Sequence, residues 1–282
     1  MKDPTIFKTE AGREAILRVY DDVLQRWPVA YHCQQIMTSL GSTFVIECGQ
    51  PAGPALVLLH GAGSNSAFWM GEVADLCSDW RVLLVDIPGE AGKSEPRRAG
   101  LAGDAHTAWL GEVFDALGVE RAALVGLSLG GFLALKFASA HAEKISHLAL
   151  ISSSGIAPQK TSFLFTAVIL MAFGNWGLER LVRMVNANQP VPREVMDYSK
   201  LIHREFSPRL EVVPLLSDAE LKRLTMPVLV WMGAKDVLLN SRASMARIEE
   251  LIPQAEVELA ESYGHVLPGM GARIKAFLNQ HP

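Results

Sequence analysis

The chain has 282 residues, of which 49% are hydrophobic and 20% charged, and one α/β domain with a large core can fill that length. Its formal net charge is −4, and Lys and Arg form no run or stripe, so we expect no nucleic-acid partner. The three cysteines, Cys33, Cys48 and Cys77, form no C-x-x-C pair, which predicts buried free thiols in a reducing compartment.

Neither the N-terminus nor the apolar stretches predict a membrane segment. The chain begins M-K-D-P-T-I-F-K-T-E, which lacks the apolar core of a signal peptide. The most apolar stretch, residues 163–173, is far shorter than the roughly 20 residues that a helix needs to span a bilayer. We therefore expect a cytoplasmic protein without stable membrane insertion, and the sequence leaves its oligomeric state open.

The first part of the chain predicts a helix followed by two strands. Residues 10–27 place apolar side chains on one helical face. Two short strands are predicted at 33–38 and 43–47, with Gly41 and Ser42 as the turn between them.

Apolar runs and amphipathic stretches then alternate, as expected of parallel strands covered by helices on both faces. The predicted strands are 55–59, 82–85, 122–125, 148–151, 227–232 and 256–259. The predicted helices are 66–77, 104–117, 129–140, 241–251 and 271–278. Because the alternation lapses after Ser154, we predict a core domain of 1–154 and 223–282 with a helical cap inserted at 155–222.

The strongest local motif is G-L-S-L-G at residues 126–130, between the apolar strand A-A-L-V and a helical pattern. G-x-S-x-G at a strand-to-helix junction is typical of a nucleophile elbow, which lifts the hydroxyl of Ser128 above the sheet. The flanking glycines allow strand and helix to pass closely. Taken alone, the pentapeptide also fits a glycine-rich turn with an inactive serine.

A second loop has the composition that an oxyanion-binding site requires. The strand A-L-V-L-L ends in H-G-A-G, whose small residues let the backbone approach a substrate. Acyl transfer needs two N–H donors, which we predict to be those of Leu129, after the nucleophile, and Ala62 on this loop. His60 in the same motif is more often a structural hydrogen-bonding residue than a catalytic one.

The predicted base and acid follow later strands. His265 lies in Y-G-H, between the strand V-E-L-A and the last helix. Asp236 lies in G-A-K-D, just beyond a strand, where it can orient the imidazole and stabilise its charged form. The order serine, acid, histidine is the one expected of α/β-hydrolases.

These residues resemble the α/β-hydrolase superfamily over nearly the whole chain. The resemblance is carried by H-G-A-G, D-I-P-G-E-A-G-K-S, G-L-S-L-G-G, G-A-K-D and G-H-V-L. W-P-V, V-D-I-P-G-E-A-G-K-S and L-S-L-G-G look more narrowly like the Bacillus-type carboxylesterases, which are cofactor-free ester hydrolases with a helical cap. The resemblance implies Ser128, Asp236 and His265 as a catalytic triad, with Ala62 and Leu129 as oxyanion donors.

Two features depart from the wider superfamily. The loop after Asp86 lacks the Arg-Gly-His often found there, so it does not help to assign a substrate. The segment L-P-G-M-G-A, which follows His265 and Val266, is shorter than usual. The resemblance therefore does not predict which residues contact His265 on this side.

The sequence therefore predicts a hydrolase of small-molecule carboxylic esters that needs neither cofactor nor metal. Phe163, Phe173 and Trp176 of the cap are predicted to contact a small or medium hydrophobic acyl or aryl group, although such residues also commonly pack a cap onto its core. The same triad could instead serve a carbon–carbon bond hydrolase, a thioesterase, a lactonase or a perhydrolase. A non-catalytic ligand receptor and a cap that docks on lipid are less favoured alternatives.

Overall fold

The computed structural model of the chain describes residues 6–281, apart from the side chain of Leu164. One sheet of eight strands lies within this range. The strands are β1 (Tyr31–Thr38), β2 (Gly41–Gly49), β3 (Ala55–Leu59), β4 (Arg81–Val85), β5 (Ala122–Leu127), β6 (Ile145–Ile151), β7 (Val228–Gly233) and β8 (Glu256–Ala260). Their order in the sheet is β1-β2-β4-β3-β5-β6-β7-β8. Strands β3 to β8 run parallel, and β1 and β2 are antiparallel to their neighbours.

Helices connect the strands and cover both faces of the sheet. They are α1 (Glu10–Gln25), α2 (Val73–Leu76), α3 (Ala105–Ala116), α4 (Leu129–Ala140), α5 (Ser162–Met171), α6 (Gly174–Val185), α7 (Arg193–Glu205), α8 (Asp218–Leu221), α9 (Ser241–Leu251) and α10 (Met270–Gln280). Two 3-10 helices, Ser66–Gly71 and Ala142–Lys144, also lie within residues 6–281.

Alternate residues of the central strands supply two separate apolar cores. In β3, Val57 and Leu59 pack with α3, α4 and α9, whereas Leu56 and Leu58 pack with α1, α2 and α10. Because side chains of a strand point alternately to opposite faces, a strand buried on both sides becomes a continuous apolar run. The predicted α/β fold, with its mostly parallel central sheet covered on both faces, is therefore confirmed.

Three local predictions were wrong. Thr38 pairs directly with Gly41, so the hairpin turns at residues 39–40, the two-residue connection that hairpins favour, and Gly41 and Ser42 belong to β2. The helix predicted over 66–77 is a 3-10 helix followed by the short α2. Cys33 is exposed because β1 is an edge strand, whereas Cys48 and Cys77 are buried with their sulfur atoms 3.4 Å apart.

The helices α5 to α8 lie between β6 and β7 in the chain, within the segment predicted as a cap. Helix α7 packs against α1, and Phe206 just beyond α7 stacks edge-on against Phe7 at 5.8 Å between ring centroids. The backbone N–H of Lys160, before α5, donates to the carbonyl of Leu238 at 2.8 Å. The helical segment is thus fixed to the rest of the protein just before α5 and again at α7.

Helix α5 presents apolar side chains to solvent, and Phe165 and Val168 are each 72% exposed. Its 10 residues are too few to cross a bilayer. None of the helices found between residues 6 and 281 combines the length and the apolar character of a transmembrane span.

His106 on α3 is buried, with 3% of its surface exposed. Burial, followed by the positive charges of Arg209 and Lys136, lowers the pKa of His106 to about 4. In the unfolded chain the pKa of His106 has its ordinary value of about 6.5. Below that pH, the unfolded state therefore binds a proton that the folded state does not. This residue therefore makes the protein less stable as the pH falls from about 6.5 towards 4.

We expect the substitution His106→Leu to reduce this acid sensitivity. Between pH 7.5 and pH 5, the wild-type protein should lose about 2 kcal/mol of unfolding free energy through His106, and the variant should not. Urea unfolding at both pH values measures the difference, with substitution of the exposed His32 by Leu as a control. An equal loss in wild type and His106→Leu would contradict the prediction.

Candidate active site

Ser128 lies at the sharp turn between β5 and α4, in a backbone conformation that is rare for residues with a side chain. Its φ is 53° and its ψ is −109°. Its N–H donates to the carbonyl of Ile151 at 3.0 Å, and its carbonyl accepts from the N–H of Phe132 at 3.0 Å and that of Ser154 at 3.2 Å. These bonds on both sides hold the strained residue in place.

Two glycines make this turn possible because the backbones around it are in close contact. A Cβ on Gly126 would lie 2.3 Å from the carbonyl oxygen of Gly130, and a Cβ on Gly130 would lie 2.5 Å from that of His60. Any other residue at either position would push α4 away from β5 and β3. The glycines predicted from the G-x-S-x-G pattern are therefore required by contact distances.

The H-G-A-G loop follows β3 and lies against the elbow. A Cβ built on Gly61 would be 3.6 Å from the Cβ of Ser128. His60 is fully buried, and its ring nitrogens bond to the carbonyl of Gly61 at 2.8 Å and the N–H of Ile87 at 2.9 Å. His60 is thus a structural residue that fixes the loop to the end of β4.

A buried carboxylate holds the far side of the same loop. Glu90 Oε2 accepts from the N–H of Gly63 at 2.7 Å, while its other oxygen faces Arg209 Nε at 3.4 Å. The side chains of Glu90 and Arg209 are 0% and 6% exposed. Because Arg209 follows α7, this ion pair ties the returning end of the helical insertion to the H-G-A-G loop.

The N–H groups of Ala62 and Leu129 remain available to a ligand. Neither group donates a hydrogen bond to any residue within 6–281. Gly63, the next residue of the loop, is already occupied by Glu90. Leu129 is also the first residue of α4, so the positive end of the helix dipole lies at this position.

Asp236 and His265 form a buried hydrogen-bonded pair. The Nδ1–H of His265 donates to Asp236 Oδ2 at 2.7 Å, and the two residues are 8% and 1% exposed. The other carboxylate oxygen accepts from the N–H groups of Leu238 and Leu239 at 2.7 and 3.1 Å. Both oxygens of Asp236 are therefore satisfied, and the imidazole has its Nε2 left free for chemistry.

The environment of Asp236 keeps its carboxyl group ionised. Burial alone would raise the pKa of Asp236, but the hydrogen bond and charge of His265 outweigh it, supported by the two backbone donors. The net result is a pKa below the ordinary value for aspartate. A carboxylate in this state can stabilise a positively charged imidazole.

The three residues predicted as a triad follow strands at the same edge of the sheet. Ser128 follows β5, Asp236 follows β7 and His265 comes five residues after β8. Strands β7 and β8 are adjacent, and β6 lies between β5 and β7. The structure joins Asp236 to His265, but within the described residues no hydrogen bond links Ser128 Oγ to His265.

The three aromatic residues predicted to contact substrate lie in different environments. Phe163 lines a cavity of about 440 Å³ next to Asp236. Phe173 and Trp176 are 61% and 64% exposed, and their rings pack against each other at 5.8 Å between centroids. A larger cavity, of about 620 Å³, is lined by residues of α1, α7 and the loop that carries His265.

The sequence alone does not identify Glu90, Arg209 or the helix α1 as parts of this region. Glu90 lies within a motif that carries the family resemblance, but the pattern gives no sign that its side chain is buried. Nothing in the local sequence of Arg209 indicates an ion pair 119 residues away. In the described residues, no three His, Cys, Asp or Glu side chains form a group that could hold a metal ion.

The sequence and the fold of this chain both match those of known proteins. The family model for the alpha/beta hydrolase fold matches residues 54–189. The uncharacterized carboxylesterase nap of Bacillus subtilis is 31% identical over 259 residues, covering 89% of this chain and 86% of its own length. The crystal structure of the Bacillus subtilis naproxen esterase, carboxylesterase NP, has a TM-score of 0.85 and 29% identity and covers 96% of this chain and 100% of its own.

A second crystal structure, that of carboxylesterase CesB (YbfK) of Bacillus subtilis, also has a TM-score of 0.85, with 26% identity over 95% of this chain and 98% of its own. The predicted similarity to Bacillus carboxylesterases is therefore confirmed. Strand order, the elbow and the sequence matches agree, and the chain belongs to the α/β-hydrolase family.

Proposed function

We propose that the chain hydrolyses carboxylic esters through an acyl-enzyme formed on Ser128. In this proposal His265 is the general base, Asp236 orients and stabilises it, and the N–H groups of Ala62 and Leu129 bind the oxyanion. The observation that carries the proposal is the buried Asp236–His265 pair, with a free Nε2, at the same sheet edge as the strained Ser128. The carboxylesterase relatives support ester bonds as the target.

The proposed reaction has two steps. His265 Nε2 takes the proton of Ser128 Oγ while that oxygen attacks the ester carbonyl, and the resulting oxyanion is stabilised by the two N–H groups. Collapse of this intermediate expels the alcohol, which receives the proton from His265. Water, deprotonated by the same imidazole, then attacks the acyl-enzyme and releases the acid and free Ser128.

The first step requires Ser128 Oγ to come within hydrogen-bond reach of His265 Nε2. Neither atom is engaged by another described residue, so rotation of the Ser128 side chain breaks no existing bond. Catalytic hydrogen bonds are often long without substrate and shorten in the reactive complex.

We further propose that residues 1–154 and 223–282 form the core domain and that 155–222 form a cap over the site. The backbone N–H of His265 donates to the carbonyl of Val185, the last residue of α6, at 2.9 Å, and this contact supports a cap over the site. Phe163, beside Asp236, remains a proposed substrate contact. The substrates are small-molecule esters, and the adjacent thiols of Cys48 and Cys77 favour a reducing compartment such as the cytoplasm.

The substitution Ser128→Ala tests the nucleophile. We expect it to reduce kcat for p-nitrophenyl esters by about a millionfold, because the covalent step is lost. We also expect a fluorophosphonate probe to label the wild type at Ser128 and to leave the variant unlabelled, as intact-protein and peptide mass spectrometry would show.

Ser154→Ala is a suitable control, because Ser154 is a buried serine next to the elbow with no proposed role in the chemistry. Ester hydrolysis retained by Ser128→Ala would reject the nucleophile assignment. A wild-type protein that reacts with neither esters nor the probe would favour a ligand receptor. Faster turnover of thioesters, lactones or vinylogous diketones would favour another hydrolase of the same triad.

The substitution Asp236→Asn tests the acid. An amide in place of the carboxylate cannot stabilise the charged imidazole and favours the wrong tautomer, so kcat should fall by about three to four orders of magnitude. KM should change little because Asp236 is buried behind His265. Steady-state kinetics measure both constants, and a variant with nearly normal kcat would remove Asp236 from the proposed triad.

A further inference from the structure

The loop between β7 and α9, which carries Asp236, contains neither helix nor strand. The carboxylate of Asp236 accepts hydrogen bonds from two N–H groups of this loop, those of Leu238 and Leu239. The position of the carboxylate therefore depends on the backbone of residues 236–239, and whatever holds that backbone also holds the proposed acid.

Lys160, which lies outside this loop, is bound to it at two points. Its backbone N–H donates to the carbonyl of Leu238 at 2.8 Å, and its Nζ donates to the carbonyl of Asp236 at 2.6 Å. Within residues 6–281, neither carbonyl accepts a hydrogen bond from another group. One residue thus holds the loop through the carbonyls on both sides of Val237.

The bond from the side chain of Lys160 carries a charge. A hydrogen bond from an ammonium group is roughly twice as strong as one from a neutral donor. The carbonyl of Asp236 belongs to no strand or helix, so it depends on such a donor or on solvent. Solvent does not fix the orientation of a peptide group, whereas a side chain anchored elsewhere in the fold does.

The segment that ends at Lys160 also contacts the elbow. Residues 152–160 follow β6, and the N–H of Ser154 donates to the carbonyl of Ser128 at 3.2 Å. Gln159 Nε2 donates to Ser154 Oγ at 3.2 Å, which joins the two ends of the segment. This segment therefore contacts the main chain of the proposed nucleophile at one end and that of the proposed acid at the other.

We propose that Lys160 is a positioning residue of the active site, whose two hydrogen bonds keep the carboxylate of Asp236 aligned with Nδ1 of His265. Lys160 touches neither the substrate nor the reacting atoms and acts through Asp236. The proposal deepens the proposed ester hydrolysis and rests on it.

Three substitutions test the side-chain bond. Lys160→Met keeps a long unbranched side chain and removes the donor, whereas Lys160→Arg keeps a cationic donor. Lys235→Met is the matched control, because Lys235 precedes Asp236 and lines the same cavity of about 440 Å³, but its side chain makes no hydrogen bond or ion pair within residues 6–281. Both methionine variants remove one positive charge near the acid, so they differ in the hydrogen bond.

Steady-state kinetics with p-nitrophenyl acetate give the first readout. We expect Lys160→Met to lower kcat by about tenfold to a hundredfold, since a shift of about 1 Å in a catalytic group can cost about a hundredfold. KM should change less than about twofold, because Asp236 acts in both steps of the proposed reaction. Lys160→Arg should restore kcat to within about threefold of wild type, and Lys235→Met should leave both constants nearly unchanged.

Two further measurements report the position of the loop without turnover. The proton between His265 Nδ1 and a carboxylate gives a low-field resonance in proton NMR. We expect this resonance to broaden or disappear in Lys160→Met and to remain in Lys235→Met. Hydrogen–deuterium exchange at the N–H groups of Leu238 and Leu239 should become at least about tenfold faster in Lys160→Met and stay unchanged in Lys235→Met.

The outcomes separate this proposal from its alternatives. Normal kcat and unchanged exchange in folded Lys160→Met would overturn it. Equal losses in Lys160→Met and Lys235→Met would also overturn it, because they would assign the effect to charge alone. If Lys160→Met does not fold, Lys160→Gln, which is uncharged and one atom shorter than lysine, is measured in its place with the same expectations.

Failure of the proposed function would look different. A wild type that neither hydrolyses esters nor reacts with a fluorophosphonate would reject the proposed function, and the role of Lys160 in catalysis with it. A wild type that hydrolyses esters and is labelled at Ser128, beside a Lys160→Met variant with normal kinetics, would overturn the assignment of Lys160 alone.

Discussion

The candidate site depends on the close contact of three backbones where β5 ends and α4 begins. Because neither Gly126 nor Gly130 has a side chain, α4 can start immediately after the strand and touch the loop that follows β3. That contact leaves Ser128 in its positive-φ conformation and places the free N–H of Leu129 beside the loop of Ala62. The orientation of these proposed reacting groups is therefore a consequence of main-chain packing rather than of side-chain choice.

Buried carboxylates hold the loops around this contact. Asp86, after β4, accepts hydrogen bonds from Tyr20 of α1 at 3.0 Å and from the N–H groups of Ser66 and Lys93, each at 2.8 Å. Glu90 holds the H-G-A-G loop in the same way. A loop that lacks regular pairing must satisfy its N–H groups otherwise, and an ionised acceptor makes stronger bonds than a neutral one. Removing the carboxylate of Asp86 would leave three donors without this acceptor, and removing that of Glu90 would leave two, the N–H of Gly63 and Nε of Arg209.

The sequence predicted the parallel strands because they follow from local patterns. Strands buried on two faces become unbroken apolar runs, and all six parallel strands were found this way. Ser128, Asp236 and His265 were chosen because each follows such a run, and parallel strands end at one edge of a sheet. The hydrogen bond between Asp236 and His265 agrees with that reasoning.

Features that depend on distant contacts were not predictable in this way. The apolar face of α1 indicates burial, but it does not show that Val19 and Val23 border an open cavity instead of a packed core. The bond between Glu90 and Arg209 joins residues 119 positions apart, and a single sequence contains no signal for it. The exposure of Phe173 and Trp176 depends on how α5 and α6 pack. The stretch 163–173 is apolar on all sides, so its sequence does not indicate which side faces the protein.

The positive φ of Ser128 also has an evolutionary consequence. A residue with a side chain in this conformation stores about 1–3 kcal/mol of strain, which glycine would relieve. Mutants recovered in a screen for heat resistance alone should therefore include glycine at position 128, with an intact fold and no hydroxyl. Persistence of serine at this position through natural drift would indicate selection for its hydroxyl, since folding by itself favours its loss.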